Sequence, residues 1–534
     1  MVSKNGKKCL FSLFSIILAF SFLLTSCHYE EIPPHSFSPN FTSESNPPEG
    51  SLTPPTTEEA PKTEEPPKTE EPPKTEEPPK TEEPPETEEP PETEEPPKTE
   101  EPPKTEEPPE TEEPPKTEQP PETEEPPMTE EPEEPPFYVK RDDVVSTAKI
   151  GASGDILIHT KVRNAASIGN GAFDFYPMFQ HLTNYVTKLD YSAINLEFSV
   201  GESGNYSSLP FKVPASILDA VMNAGYTLGL TANNHTNDGY SAGFFRTLSE
   251  LENRSMDYIG TRQKEEDKKY IVKEINGIKV GMFNFTYADY TSDGLVSLNG
   301  IKCTAETSKL VNVFNTSKLS QFYSEAQEII SDMENEGAEA IVLFIHWGNE
   351  YDLDPSYYQQ TIAKKMCALG CDVIIGGHPH KVQPIEIITE SASGNTSVCL
   401  YSAGNILSNQ VISEMYPTHG CKIPDNTEGD HVRECNDNGH TEDGILFSFE
   451  FEKYEDGTVG IGKIDALPLW CCRSYNSAAG KYVYRIIPLD KTVSDWSEFG
   501  LTENQKEQAV KSYDRTMELV QKGLERWNGK EYFN

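Results

Sequence analysis

From residue 137 onward the chain alternates short apolar runs with amphipathic stretches. Runs at 147–153, 191–196, 227–231, 279–285, 340–345, 372–375 and 397–402 read as β-strands. Between them, 215–224, 241–253, 320–336 and 355–369 carry apolar residues at helical spacing. Two later stretches, 444–453 and 459–466, have the look of antiparallel strands, and a charged helix is expected over about 502–526. Strands alternating with helices define an α/β domain. Its length is ample for a large buried core.

Before residue 137 the pattern is of another kind. From about 61 to 136 a six-residue unit repeats, Pro-Pro-Lys-Thr-Glu-Glu, with Glu in place of Lys in some copies. It offers no apolar face on which copies could stack as a solenoid. Proline removes backbone donors and fixes φ, and glutamates repel one another, so the expectation is an extended, partly polyproline II stalk without a fixed structure. At ~3.1 Å per residue it would reach about 230 Å at most, which suits a spacer. Charge has to be partitioned accordingly. Residues 51–136 hold 31 Glu and 7 Lys, so this tract supplies −24 of the chain's −43. The remainder is still acidic, which excludes nucleic acid as an expected partner, because binding there rests on Lys and Arg neutralising phosphates.

The first residues carry an address. Lys4, Lys7 and Lys8 precede an apolar run over 9–24, which ends at Leu24-Thr25-Ser26-Cys27. The run is shorter than the ~20 residues that span a bilayer as a helix. Basic start, apolar core and small residues before a cysteine together resemble the lipobox of a bacterial lipoprotein signal peptide. The resemblance implies cleavage before Cys27, lipidation of that thiol, and an extracytoplasmic protein held to the bacterial cell membrane by a lipid anchor. The expected organisation is a signal peptide over 1–26, a linker over 27–136, the α/β domain over 137–500 and a helical tail over 501–534. Eight further cysteines show no paired zinc-site spacing. Cys421 with Cys435 is the expected disulfide, and buried free thiols are an equal reading of the others.

Candidate chemistry falls directly after the predicted strands. Asp155 follows the first, Glu197 the second, and Asn234-His235 the third, with Asp238 close behind. His346 and Glu350 follow a fourth, His378 and His380 a fifth, and Asn405 the last. In open α/β sheets ligands bind outside the carboxyl ends of the strands, so these clusters are expected to converge. Carboxylate oxygens, imidazole nitrogens and an amide carbonyl suit divalent Mn, Zn or Fe, and one carboxylate can bridge two ions. Taken singly, each has an ordinary explanation as a turn, a solvated carboxylate or a core histidine. Their order is what gives them weight.

In sequence the motifs are Gly154-Asp155, then Asn195-Leu196-Glu197, then Ala232-Asn233-Asn234-His235 with Asp238-Gly239. His346-Trp347-Gly348-Asn349-Glu350, Gly376-Gly377-His378-Pro379-His380 and Tyr401-Ser402-Ala403-Gly404-Asn405 complete the series. This resembles the CapA family of poly-gamma-glutamate capsule proteins, a branch of the calcineurin-like metallophosphoesterases, over about 148–466. The resemblance implies a four-layer αββα sandwich around a centre of two divalent ions. It implies Asp155, Glu197, Asn234, His346, His378 and His380 as metal ligands, with Glu197 bridging, and His235 as the catalytic acid that does not ligate. His159, Asp238, Glu350 and Asn405 are further candidate ligands or pocket residues. Three positions depart from the pattern. Glu197 stands where an aspartate is usual, His159 follows Asp155 by four residues rather than two, and Gly377 occupies a position that often holds histidine.

Three functions remain open on the sequence. The first is a surface component in synthesis, export or anchoring of an anionic capsule polymer of the poly-gamma-glutamate type, with other capsule-synthesis proteins as partners. The second is an extracytoplasmic metal-dependent phosphoesterase, and the third a non-catalytic binding module on a stalk. Neither a Gly-x-Ser-x-Gly elbow nor a Walker phosphate loop is present.

Overall fold

A computed structural model of the protein describes residues 136–410, 440–492 and 496–530. The signal segment, Cys27, the repeat tract and the Cys421–Cys435 pair lie outside the described residues.

The chain opens the first sheet with β1 (Val144–Ile156), β2 (Tyr191–Leu196), β3 (Leu228–Leu230) and β4 (Asp257–Ile259). It then builds a second sheet from β5 (Tyr270–Ile275), β6 (Ile278–Tyr287), β7 (Val313–Phe314), β8 (Ala340–His346), β9 (Val373–Gly377), β10 (Val382–Thr389) and β11 (Thr396–Ala403). It returns to the first sheet with β12 (Asn405–Leu407), β13 (Asp443–Tyr454), β14 (Val459–Asn476) and β15 (Lys481–Pro488). The first sheet runs β15-β14-β13-β1-β2-β3-β4, with β12 beside the end of β1. The second runs β5-β6-β8-β9-β11-β10, with β7 beside β6. β1 to β4 are mutually parallel, as are β6, β8, β9 and β11, so each set of carboxyl ends shares one edge.

Alternation along the central strands explains why two sheets stack. Ala148, Ile150 and Ala152 of β1 meet Val280 and Met282 of β6 and Val342 and Phe344 of β8 in one buried cluster between the sheets. Residues of opposite parity point outward. Ile341, Leu343 and Ile345 pack under α4 (Leu319–Asn335) and α5 (Tyr357–Leu369), against Phe322, Ile329 and Met366. On the far side of the first sheet, Ile194 and Leu196 pack against α1 (Thr160–Ala166) and α2 (Ser216–Asn223). A fifth helix, α3 (Tyr240–Asn253), begins directly after the Asn233–Gly239 loop. The outcome is a mixed α/β sandwich in which strands buried on both faces read as continuous apolar runs.

The helix that closes the described chain, α6 (Glu503–Asn528), does more than its charge predicts. It starts at a capping box on Thr502 and Gln505. Met517, Val520, Leu524 and Trp527 on one face join the inter-sheet core. Arg515 donates from Nε and Nη2 to the buried Asp443 carboxylate at 2.8 and 2.9 Å, and Ser512 Oγ donates to it at 2.6 Å.

β14 corrects the sequence expectation in length, running to Asn476 instead of ending at 466. Pro468 lies inside it, paired with Ile445 on one side, while pairing with β15 begins only at Leu469, so its missing N–H breaks no bond there. Cys303, Cys367, Cys371, Cys399, Cys471 and Cys472 are buried free thiols. No described helix is long and apolar enough to cross a membrane.

Candidate metal centre

The shared edge of parallel strand ends gathers the motifs. Asp155 sits near the end of β1, Glu197 just past β2, and Asn233 to His235 past β3. His346 ends β8, and His378 and His380 follow β9. The backbone is packed tightly here. A Cβ on Gly154 would lie 1.8 Å from the Gly404 carbonyl oxygen, and one on Gly377 would lie 2.8 Å from Asp155 Oδ1. The second contact accounts for one departure in the sequence, since any side chain at 377 would sit on Asp155.

Glu197 is at the middle of the arrangement. It is 0% exposed, and neither carboxylate oxygen has a hydrogen-bond partner. Its Oε1 lies 3.6 Å from His346 Nε2, 3.8 Å from His380 Nε2 and 3.9 Å from His235 Nε2. Burial, and next the charge of Asp155, hold its carboxyl well above the usual range. Two groups of candidate ligands share it: Glu197 with His378 and His380, and Glu197 with Asp155 and His346, each with donor atoms within 4.8 Å of one another.

Around these atoms the hydrogen bonds orient rings and carboxylates. Asp155 Oδ1 accepts from Asn195 Nδ2 at 2.7 Å and Oδ2 from the His378 backbone N–H at 3.1 Å. His380 Nδ1 lies 3.1 Å from Asn405 Oδ1, so with Nδ1 as the donor its Nε2 is left facing Glu197. Asn405 is held in turn, donating to Gln410 Oε1 at 2.8 Å and to the Thr441 carbonyl at 3.1 Å. His346 Nε2 is 2.9 Å from Asn234 Oδ1. Asn234 Nδ2 and His378 Nδ1 are buried without partners. Burial first, and then neighbouring histidines, hold His346 and His378 well below the usual imidazole range, in the neutral form that a ligand needs. His378 and His380 adopt φ of 96° and 59°, an unfavourable conformation for residues with a Cβ.

This chemistry fits a divalent metal. For bonds of ~2.1 Å, neighbouring ligand atoms lie ~3.0–3.8 Å apart, which is close to the separations about Glu197 Oε1 and Asn234 Oδ1. A cation there would also satisfy three buried polar atoms that the protein leaves unpartnered, both oxygens of Glu197 and Nδ1 of His378.

The other predicted residues are placed differently. His235 Nδ1 bonds Asp238 Oδ2 at 2.7 Å, and that carboxylate also accepts from the Phe211 backbone N–H, so Asp238 orients His235 and stands outside both ligand groups. His159 also stands outside them. Its Nδ1 accepts from the Asn409 N–H at 3.2 Å, and burial lowers its pKa to about 4. Glu350 is exposed on the loop after β8, where its charge still acts on Glu197. Three residues of the site were not singled out by the sequence. Asn195 links Asp155 to Asn233, whose Nδ2 donates to Asn195 Oδ1 at 3.1 Å. Asn233 also accepts from the His235 N–H at 3.1 Å. Tyr287 lies over His378, with ring centroids 4.7 Å apart. Tyr287 ends β6, so the strand-end rule that found the others would have found it too.

Comparison with known proteins bears on the same residues. A family model described as "Bacterial capsule synthesis protein PGA_cap" matches residues 149–410. A Bacillus anthracis protein named capsule biosynthesis protein CapA is 29% identical over 264 residues, covering 48% of this chain and 59% of its own. A Bacillus subtilis (strain 168) protein named PGA biosynthesis protein CapA is 27% identical over 284 residues, covering 52% of this chain and 67% of its own. The matched part thus spans about three-fifths of the length of the first relative. A crystal structure of TT1561 of Thermus thermophilus aligns with 48% of this chain and 90% of that chain at 12% identity, but its TM-score of 0.25 is too low to carry an argument. Family match, relatives and the order of the motifs agree: residues 149–410 match the capsule-synthesis family of the CapA relatives, a branch of the metallophosphoesterase superfamily.

Proposed function

We propose that this is an extracytoplasmic, lipid-anchored capsule protein whose domain is a four-layer αββα sandwich of the metallophosphoesterase kind, built around two divalent ions. The role is in synthesis, export or anchoring of an anionic polymer of the poly-gamma-glutamate type, together with other capsule-synthesis proteins. The polymer and the envelope location rest on the CapA relatives and on the lipobox-like start ending at Cys27. The metal centre rests on one observation above all: a fully buried carboxylate, Glu197, has no hydrogen-bond partner and is ringed by three histidine nitrogens.

In this reading Glu197 would be shared by the two ions, Asp155 and His346 with the neighbouring Asn234 would hold one, and His378 and His380 the other. Bound divalent ions clamp a phosphoryl oxygen and lower the pKa of a coordinated water. The chain supplies the rest. Asp238, bonded to Nδ1, fixes the His235 ring so that Nε2 faces the centre, where an imidazolium can pass its proton to a leaving oxygen. Tyr287 and the His159–Phe211–His235 edge contacts wall the pocket and limit water.

Elemental analysis of the full chain, purified without chelator, tests the centre, with a panel of phosphomonoesters and phosphodiesters assayed on the same sample. One or two metal ions per chain are expected, and none would refute the centre. His235→Ala should retain the metal and lose ~10²–10⁴-fold in turnover. The His235–Asp238 pair favours a second reading, a phosphoesterase acting on an envelope metabolite, and turnover without any capsule defect in His235→Ala would select it. Bound metal with full capsule function and no turnover would leave a structural centre in a binding module.

A further inference from the structure

A cavity of about 540 Å³ opens beside β7 and the start of α4, one strand removed from the histidine centre. Four cations line it, Arg262, Lys269, Lys309 and Lys318, against two carboxylates, Glu265 and Glu325. Both carboxylates are engaged: Glu325 pairs with Lys269, and Glu265 lies 2.9 Å from Lys309. Arg262 and Lys318 have no carboxylate within ion-pair distance among the described residues. Lys318 lies over the ring of Tyr290, 4.1 Å from its centroid.

Arg262 is the telling residue. It is 6% exposed and always charged. Its Nη1 donates to Asn312 Oδ1 at 3.0 Å and its Nη2 to the Lys309 carbonyl, while its Nε–H has no acceptor. Glu325, Glu265 and Asp267 act on it only from beyond ion-pair distance, so a guanidinium hydrogen-bonded to two neutral oxygens stays costly to bury unless an anion joins it. The 17-residue helix α4 begins at the same cavity and adds the positive end of its dipole. Outside residues 51–136 the chain still carries −19 of its −43, so four cations around one cavity stand against the general charge.

We propose that this cavity is a binding site for a small-molecule oxyanion, a carboxylate or phosphate group held between Arg262 and Lys318 at the head of α4. Phe314 and Phe322 form an apolar wall for the body that carries it. The proposal shares no residue with the metal centre and stands or falls separately from it.

Calorimetric titration of the full chain with glutarate, and separately with inorganic phosphate, at low ionic strength provides the test. Saturable one-site binding is expected, with the tighter of the two probes identifying the anion. Lys318 is exposed and outside the core, so Lys318→Gln should leave the melting curve unchanged and weaken binding roughly tenfold, the loss of one charge-assisted contact. Arg262→Gln should remove binding altogether. Should that variant fail to fold, Lys318→Gln decides alone. Absence of saturable binding of both probes to the wild-type chain would overturn the proposal. So would affinities within twofold of wild type in Lys318→Gln, which would move any phosphate binding to the metal centre.

Discussion

Glu197→Gln separates a metal-binding carboxylate from a merely buried one, because the two predict opposite signs. Gln keeps the volume and one acceptor oxygen but removes the charge. In metal-free protein the wild-type carboxylate is 0% exposed, unpartnered and beside Asp155, so the neutral amide should be tolerated at least as well. A pH dependence follows with a definite sign. The folded carboxyl sits well above its usual range, so the native state keeps a proton that the unfolded chain has released. Stability of chelated wild-type protein should therefore fall as pH rises from the ordinary Glu range of ~4.3, and Glu197→Gln should lose that fall.

With metal present the order reverses. Wild-type protein at a free-ion concentration of about 100 Kd is stabilised by about 2.7 kcal/mol. A variant whose affinity drops about a hundredfold loses most of that. At about 2.1 cal/mol/K per residue, a domain of roughly 360 residues converts the loss into about 3–4 °C of melting temperature. Differential scanning calorimetry of both proteins, with and without chelator, reads all four values. Equal melting temperatures for the two proteins in both conditions, or a destabilised variant in chelator alone, would refute the reasoning.

Gly377→Ala should displace Asp155 Oδ1, from which its Cβ would stand 2.8 Å, and lower metal content measured by elemental analysis more than it lowers helicity by circular dichroism. Asp372 accepts from the Ile341 N–H at 2.7 Å and is half-buried, and the loss of solvent raises its pKa to about 6. Stability should decline as pH rises from about 4 to about 6, by at most about 3 kcal/mol, and Asp372→Asn should flatten that decline in urea titrations. Arg515→Ala leaves the Asp443 carboxylate buried with only Ser512 to bond it, and should cost about 3–5 kcal/mol by the same assay.

The strands legible in the sequence and those that escaped it divide along a physical line. Central strands such as β8 and β9 are buried on both faces and read as almost unbroken apolar runs, and β1 and β6 carry enough apolar residues to stand out beside them. The four strands that form the edges of the two sheets, β4, β5, β10 and β15, were not anticipated, and neither were the two-residue β7 and three-residue β12. β5 reads Tyr-Ile-Val-Lys-Glu-Ile, and β10 carries Pro384, a residue that edges tolerate and interiors do not. An edge strand buries less, so its pattern is diluted by polar residues. The candidate ligands were legible because all of them follow central strands. Asn195 and Asn233 were passed over because their role is to hold other residues, and that depends on distances that sequence order does not encode. α6 was read as a charged tail because its apolar face is narrow, yet that face completes the core.

Several departures from ordinary rules meet at the histidine centre. Left-handed φ at His378 and His380, strand ends that tolerate no Cβ at Gly154 and Gly377, and unpartnered buried atoms on Glu197, Asn234 and His378 all fall at one end of the sandwich. Strained φ costs of order 1–3 kcal/mol per residue and an unsatisfied buried polar group about as much. Such a cluster persists only if the surrounding fold over-determines it, and here two sheets with a continuous core do so. The same end holds imidazoles in the neutral form a divalent ion requires, beside a Glu197 carboxyl whose proton a bound cation would displace. A structural role alone would have been met more cheaply by apolar side chains such as those of the inter-sheet core. The cost is therefore intelligible as preparation for a bound cation, and the conservative change Glu197→Gln is where that argument can be measured.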